Sequence, residues 1–135
     1  MEQLNLDTGV RVFAIAGGGT LRFNPADPNL YGRFAQGAEQ LQALERELTE
    51  KGAGLAGEEM IGLLKEADTR IKGLLNEIFG GENDFHKALG GVSLLAVGSN
   101  GKTVAQNLFA ALESVLEEGA QKIVDARVQD ARQSL

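Results

Sequence analysis

A stripe of apolar residues in the middle of the chain constrains its fold more than any other feature. The members recur at spacings of three and four, and they are Met60, Leu64, Ala67, Ile71, Leu74 and Ile78. Residues at this spacing share one face of an α-helix. Gly80 and Gly81 follow, and glycine is common just past a helix C-terminus. The pattern predicts an amphipathic helix from about Glu58 to Phe79.

A second stretch with this periodicity begins after Asp27 and Pro28, which suit the N-cap and the first position of a helix. Its apolar face comprises Phe34, Ala38, Leu41, Leu44 and Leu48. Three glycines between residues 52 and 57 predict its end. A third helix is predicted from about Thr103 to Arg132. Its face comprises Val104, Leu108, Leu112, Val115, Gly119, Ile123 and Ala126.

Each stripe fits either an intramolecular core or a coiled coil with a partner. The intramolecular core is the favoured interpretation for the first two helices. The C-terminal helix leaves both interpretations open because it is longer than the others.

The N-terminal residues have the pattern of strands. Leu4 and Leu6 alternate with polar neighbours before an Asp-Thr-Gly turn signal. Val10–Ala16 has apolar residues at both odd and even positions, as in a strand covered on both faces. Gly17–Gly19 permits a reversal, because glycine reaches positive φ at little steric cost. Thr20–Phe23 then returns with its apolar side chains on one face. We expect an antiparallel β-meander of two or three strands.

These elements predict a single domain over residues 1–135, with the β-meander in residues 1–23 and a helical part in residues 27–132. The expected fold class is α+β: a small N-terminal antiparallel β-meander packed on a bundle of about three α-helices, mainly helical. Between the second and third helices, Asn83 or Asp84 can cap a short helix through Leu89. Val92–Val97 fits a strand or a buried helical turn.

Composition excludes several classes of function. The net charge is −6, and aromatic residues make up 5% of the chain with no Trp, which argues against nucleic-acid binding. The chain has no Cys, so disulfides, thiolate metal sites and a Cys nucleophile are excluded. We expect no secretory signal, since the N-terminus lacks a basic stretch followed by an apolar run. No apolar run approaches the roughly 20 residues that span a bilayer.

The segment Ala96–Thr103 is the sharpest candidate for chemistry. It fits the relaxed phosphate-binding pattern [AG]-x-x-x-x-G-K-[ST], and its Gly-Ser-Asn-Gly-Lys-Thr core resembles the ATP loop of the Mur ligases. In such a loop, Lys102 would reach phosphates and Thr103 would bind Mg²⁺. The following chain predicts one helix and none of the later strands of a P-loop fold. We therefore favour a glycine turn into a helix and keep Gly98–Thr103 as an alternative nucleotide site.

The remaining polar residues predict no catalytic, cofactor-binding or metal site. His86 is the single histidine of the chain, so it has no second histidine for a metal cluster or a triad. The serines have no base at a recognisable spacing. Neighbouring carboxylates such as Glu117 and Glu118 are typical of a charged helix surface. We expect no enzymatic activity and no cofactor.

The order of these features resembles the tail assembly chaperones of long-tailed bacteriophages and prophages. A short meander ends in Leu21-Arg22-Phe23-Asn24-Pro25-Ala26-Asp27, and the resemblance extends from about Leu4 to Ile123. The helical residues that carry it are Tyr31, Arg33 and Phe34, then Asp68, Ile71 and Leu75 before Ile78-Phe79-Gly80, and finally Phe109, Leu112 and Val115. The Gly-Ser-Asn-Gly-Lys-Thr segment is outside this pattern.

The resemblance implies a non-enzymatic protein that coats the helical tape measure protein before the tail tube forms around it. It implies action in the cytoplasm of a bacterial host, a protein partner and a possible homo-oligomer. A structural tail component is a further alternative. On physical grounds, a client site is an exposed apolar patch with a polar rim. We expect it on the C-terminal helix or at the joint of residues 52–57.

Overall fold

A computed structural model describes residues 1–133 of the chain. Within them lie two strands, β1 (Arg11–Ala14) and β2 (Thr20–Phe23), and four helices, α1 (Pro28–Gly52), α2 (Glu58–Phe79), α3 (Phe85–Ala88) and α4 (Val104–Gln133). The strands form an antiparallel hairpin. The predicted fold class, a mainly helical α+β arrangement, is therefore confirmed. No helix in residues 1–133 has the length and apolar character needed to cross a membrane.

The β1–β2 hairpin forms where the glycines permit a reversal. Arg11 pairs with Phe23 and Ala14 pairs with Thr20, and Gly17 has a φ of +77° in the turn. Leu21 and Phe23 are buried on one face, as their alternation predicts. The outer edge of β2 is covered, because the amide side chain of Asn83 bonds both the N–H and the C=O of Arg22 at 2.7 Å. This contact occupies an edge at which a third strand could otherwise pair.

The third strand considered for the meander is absent from the described residues. Leu4 and Leu6 are fully exposed, at 92% and 81%, and residues 1–10 belong to no strand. The expected burial of β1 on both faces is also wrong, since Val12 is 57% exposed. The reason is that the helices cover one face of the hairpin only.

Local signals set the ends of the first two helices as expected. Asp27 caps α1 by accepting a hydrogen bond from the N–H of Asn29 at 2.9 Å, and Pro28 is the first helical residue. Gly80 ends α2 with a φ of +65°, and its N–H donates to the carbonyl of Asn76 at 2.8 Å. These caps satisfy backbone groups that a helix leaves free at its termini.

The two predicted apolar faces meet between α1 and α2. Phe34, Leu41, Leu44 and Leu48 are half-buried there, and in the α2 stripe three of the six residues are buried and three are half-buried. The prediction is wrong at Ala38, which is exposed. Its neighbour Gly37 is buried instead, since it packs against Ile78 of α2. A Cβ added at Gly37 would lie only 2.7 Å from Cδ1 of Ile78. The missing side chain lets the helices approach closely.

Aromatic rings link the hairpin to the helices. Phe79 lies at the centre, with ring centroids 4.9 Å from Phe23, 5.3 Å from Phe34 and 5.1 Å from Phe85. Phe13 stacks on Phe23 at 4.8 Å. Such pairs contribute about 0.5–1.5 kcal/mol each beyond the burial of their area. They fix the hairpin on the end of α2.

α4 packs on the rest of the domain along its first half only. Leu108, Leu112 and Gly119 are buried, and a Cβ at Gly119 would lie 2.0 Å from the carbonyl oxygen of Pro25. Beyond Gly119 the described residues are exposed, apart from the half-buried Ala120 and Ile123. The predicted start of this helix is confirmed to within one residue, and the described residues are helical through Gln133.

Candidate functional site

The loop Ala96–Thr103 is a closed turn. The N–H of Gly98 donates to the carbonyl of Lys102 at 2.8 Å, and the N–H of Gly101 donates to the carbonyl of Gly98 at 2.9 Å. The N–H of Lys102 donates to the side chain of Asn100 at 3.1 Å. A phosphate-binding loop needs such N–H groups free to point at the ligand. Here they are bonded within the loop, and the Lys102 side chain is exposed.

Thr103 has a capping role. Its hydroxyl accepts a hydrogen bond from the N–H of Gln106 at 3.1 Å, and the Gln106 side chain accepts from the N–H of Thr103 at 2.9 Å. This reciprocal arrangement is a capping box, which satisfies two free donors at the start of a helix. The geometry therefore matches the favoured interpretation, a turn that starts α4.

Val92–Val97 adopts neither of the two expected conformations. It is a loop with a turn at Ser93–Ala96 and a single bridge between Val97 and Thr103. Leu94 is fully buried and its N–H donates to Oδ1 of Asp68 at 2.8 Å. The segment is apolar because one side chain fills the core, and a carboxylate on α2 holds its backbone.

That carboxylate belongs to a buried polar cluster that the sequence interpretation missed. Asp68 and Lys72 lie one turn apart on α2, only 9% and 4% exposed, and their side chains form an ion pair at 2.9 Å. The ammonium of Lys72 also donates to the carbonyl of Val92 at 2.8 Å and contacts Nδ1 of His86 at 3.0 Å. An ammonium only donates, so Nδ1 of His86 accepts and its proton lies on Nε2.

The cluster uses all three protons of the Lys72 ammonium, so its geometry is that of an anchor. It ties α3 and the loop before α4 to α2. A buried charge is tolerated when it is paired and hydrogen-bonded in this way. Within residues 1–133, no group of three His, Asp or Glu side chains is arranged to hold a metal ion.

An open groove lies between the start of α1 and the first half of α4. Its volume is about 680 Å³. Its apolar lining is formed by Tyr31, Phe109, Ala110, Leu116 and Ala120, and its polar rim by Gln106, Glu113 and Glu117. Phe109 is 37% exposed. An exposed apolar surface with a polar rim is typical of a protein-binding site.

Tyr31 fixes the floor of this groove. Its hydroxyl donates to the carbonyl of Pro25 at 2.8 Å and lies within bonding distance of the carbonyl of Leu116. Burial raises the pKa of Tyr31, while a hydrogen bond with the backbone of Ala120 acts in the opposite direction. The neutral phenol thus links the entry of α1 to the middle of α4.

The groove lies on the C-terminal helix, one of the two places where the sequence predicts a client site. The joint at residues 52–57 lines none of the grooves described in residues 1–133. Phe109 and Ala120 lie outside the core-facing stripe of α4, while Leu116 lines the groove and also packs against the core. A second apolar stripe on one helix is the signal that sequence reasoning missed, because a helix with a single buried face is polar elsewhere.

Fold and groove together define a mainly helical α+β domain with a candidate protein-binding surface. Comparison with models of protein families, with curated proteins and with solved structures gives no match to this chain.

Proposed function

We propose that this chain is a non-enzymatic tail assembly chaperone of a long-tailed bacteriophage or prophage, which binds the tape measure protein during tail morphogenesis. The observation that carries the proposal is the apolar groove along α4. The resemblance of the sequence to such chaperones supplies the identity of the client. We expect the protein to act in the cytoplasm of the bacterial host.

The shape of the groove favours a helical client. Its lining runs from Gln106 to Ala120, which is about 20 Å along α4 at 1.5 Å per residue. An amphipathic helix can lay its apolar face in such a groove, with contacts repeated every three or four residues. Glu113 and Glu117 on the rim favour basic residues beside the apolar face of the client.

Co-expression with a candidate tape measure protein from the same genome tests the proposal. We expect more soluble client and co-purification of the two proteins, and we expect Phe109→Asp to abolish both by placing a charge in the groove. Ile61→Asp is the matched control, because Ile61 is also exposed on a helix, at 67%, but lies outside the groove. Loss of binding in both variants, or in neither, would contradict the proposed site.

Purified phage particles separate a chaperone from a structural tail component. A chaperone leaves before the tail is complete, so mass spectrometry of mature particles should not detect this chain. Stoichiometric amounts in the particle would instead support the structural alternative.

A further inference from the structure

The apolar stripe of the groove continues past the point where α4 leaves the core. α4 has 30 residues and is therefore about 45 Å long. Val124 and Val128, beyond the groove, are 53% and 46% exposed. At 3.6 residues per turn, Val124 lies on the same helix face as Leu116 and Ala120. The second half of α4 thus presents an unpartnered apolar face that continues the groove.

The charges on this face differ between the two halves of the helix. The first half carries Glu113 and Glu117 at the rim of the groove. In the second half, Arg127 occupies the same face, about five turns after Phe109. Asp125 points round the helix and accepts a hydrogen bond from Gln121 at 2.9 Å. Glu113 at the groove and Arg127 on its continuation carry opposite charges, and they can face each other when two such helices run antiparallel.

We propose that the groove is filled, in the free protein, by the second half of α4 from a second copy of this chain. A two-fold axis at Ala120 places Glu113 opposite Arg127 and Leu116 opposite Val124, and each contact occurs twice. This is an isologous dimer, in which the same surface of both copies forms the interface. The small side chain of Ala120 permits close approach of the helix axes.

The pairing has a consequence for binding. A second copy and a helical client occupy the same apolar surface, so they compete for it. The dimer protects the exposed stripe of the free protein until a client displaces the second copy. The pairing itself does not require the proposed client.

A single engineered cysteine tests the two-fold axis, since the chain has no Cys. Helix axes about 8 Å apart bring the two copies of residue 120 into the roughly 4.4–6.8 Å Cα separation of a disulfide. Ala120→Cys should therefore form a covalent dimer on mild oxidation, doubling the 14.3 kDa mass. Ser114→Cys is the control, because Ser114 is exposed on another face of α4. Equal cross-linking of the two variants, or none in Ala120→Cys, would overturn the pairing.

A charge exchange tests the antiparallel register. Arg127→Glu and Glu113→Arg should each weaken the dimer about tenfold in sedimentation equilibrium, because two attractive pairs become repulsive. The double variant should recover the affinity. Arg132→Glu is the control, with the same charge change off the stripe. The proposal would be overturned by a wild-type chain that stays monomeric at about 0.1 mM, or by a double variant that dimerises no more tightly than the single variants.

The two proposals fail separately. Failure of Ala120→Cys with retained co-purification of the client would remove only the dimer. Cross-linking of Ala120→Cys in a chain that neither solubilises the client nor co-purifies with it would remove only the chaperone role.

Discussion

At the scale of single residues, two buried polar contacts hold α2 and α4 in place. The burial and pairing of Asp68 and Lys72 were not predicted, because a carboxylate and an ammonium four residues apart are typical of a solvated helix surface. Their position beside the α2 stripe was the signal that they face the core. Tyr31 stood out only through the family resemblance, since nothing in its neighbourhood indicates that its hydroxyl reaches α4.

Removing one member of the buried ion pair should be costly. Asp68→Ala leaves the Lys72 ammonium buried without its counter-ion and the N–H of Leu94 without an acceptor. We expect a loss of about 3 kcal/mol in the free energy of unfolding, measured by urea denaturation. Glu118→Ala is the control, because the Glu118–Lys122 pair is 59% exposed on both sides, and its loss should cost less than about 0.5 kcal/mol.

The combined variant Asp68→Leu with Lys72→Met should lose less free energy of unfolding than Asp68→Ala, since it leaves no buried charge. If the loss in the combined variant equalled the sum of the losses in Asp68→Leu and Lys72→Met alone, the two side chains would not be coupled as an ion pair.

The phenol of Tyr31 should make stability depend on alkaline pH. Burial favours its neutral form, so the stabilisation is present below the unfolded pKa of about 10 and is lost as the pH rises through the higher pKa of the folded protein. Tyr31 is the single tyrosine and the chain has no Trp, so the absorbance of tyrosinate reports this group alone. The titration midpoint should lie above that of the urea-unfolded chain.

Tyr31→Phe should cost about 1 kcal/mol at neutral pH and remove this component of the alkaline loss of stability. Equal titration midpoints in the folded and unfolded chains would contradict the burial of the phenol.

At the scale of elements, the sequence predicted what local chemistry decides. Asp27 with Pro28, Gly80 and Thr103 mark helix ends through contacts within a few residues, and these ends lie where expected. Val92–Val97 was misjudged because its conformation depends on a distant group, since Asp68 on another helix holds the loop at Leu94. Leu4 and Leu6 stay exposed and pair with no strand in the described residues, although β1 pairs with β2 alone, so their alternation with polar neighbours did not suffice to form a strand.

The crossing of α4 over the β2–α1 loop depends on a glycine. Gly119→Ala would place a Cβ 2.0 Å from the carbonyl oxygen of Pro25, so α4 must shift. We expect a loss of about 2 kcal/mol in thermal or urea unfolding.

Gly62→Ala is the matched control for the crossing. A Cβ added to Gly62, within α2, would meet no atom within 4 Å beyond its chain neighbours and the backbone of its own helix. Alanine should therefore stabilise the chain by up to about 1 kcal/mol, because it favours the helix more than glycine does. Similar effects at both glycines would contradict the close contact.

At the scale of the whole molecule, the domain consists of a packed part and of a helix, α4, that carries an exposed apolar groove. The hairpin, α1, α2 and α3 form one core around Phe79 and Phe85, and α4 contributes only its first half to it. The core stripe of α4 was predictable from its period as far as Gly119, but the predicted stripe was wrong at Ala126, which is exposed because α4 has left the core there. The groove was not predictable, because it needs the position of Tyr31 relative to a second stripe, which only the packed structure provides.

Hydrogen–deuterium exchange of the chain with and without the tape measure protein is the sharpest test of whether this chain binds a protein client through the groove of α4. We expect added protection in residues 106–120 of α4 on binding, with little change in residues 96–103. Mg-ATP should protect neither segment. Protection of residues 96–103 by Mg-ATP, or client binding that leaves residues 106–120 unprotected, would contradict these expectations.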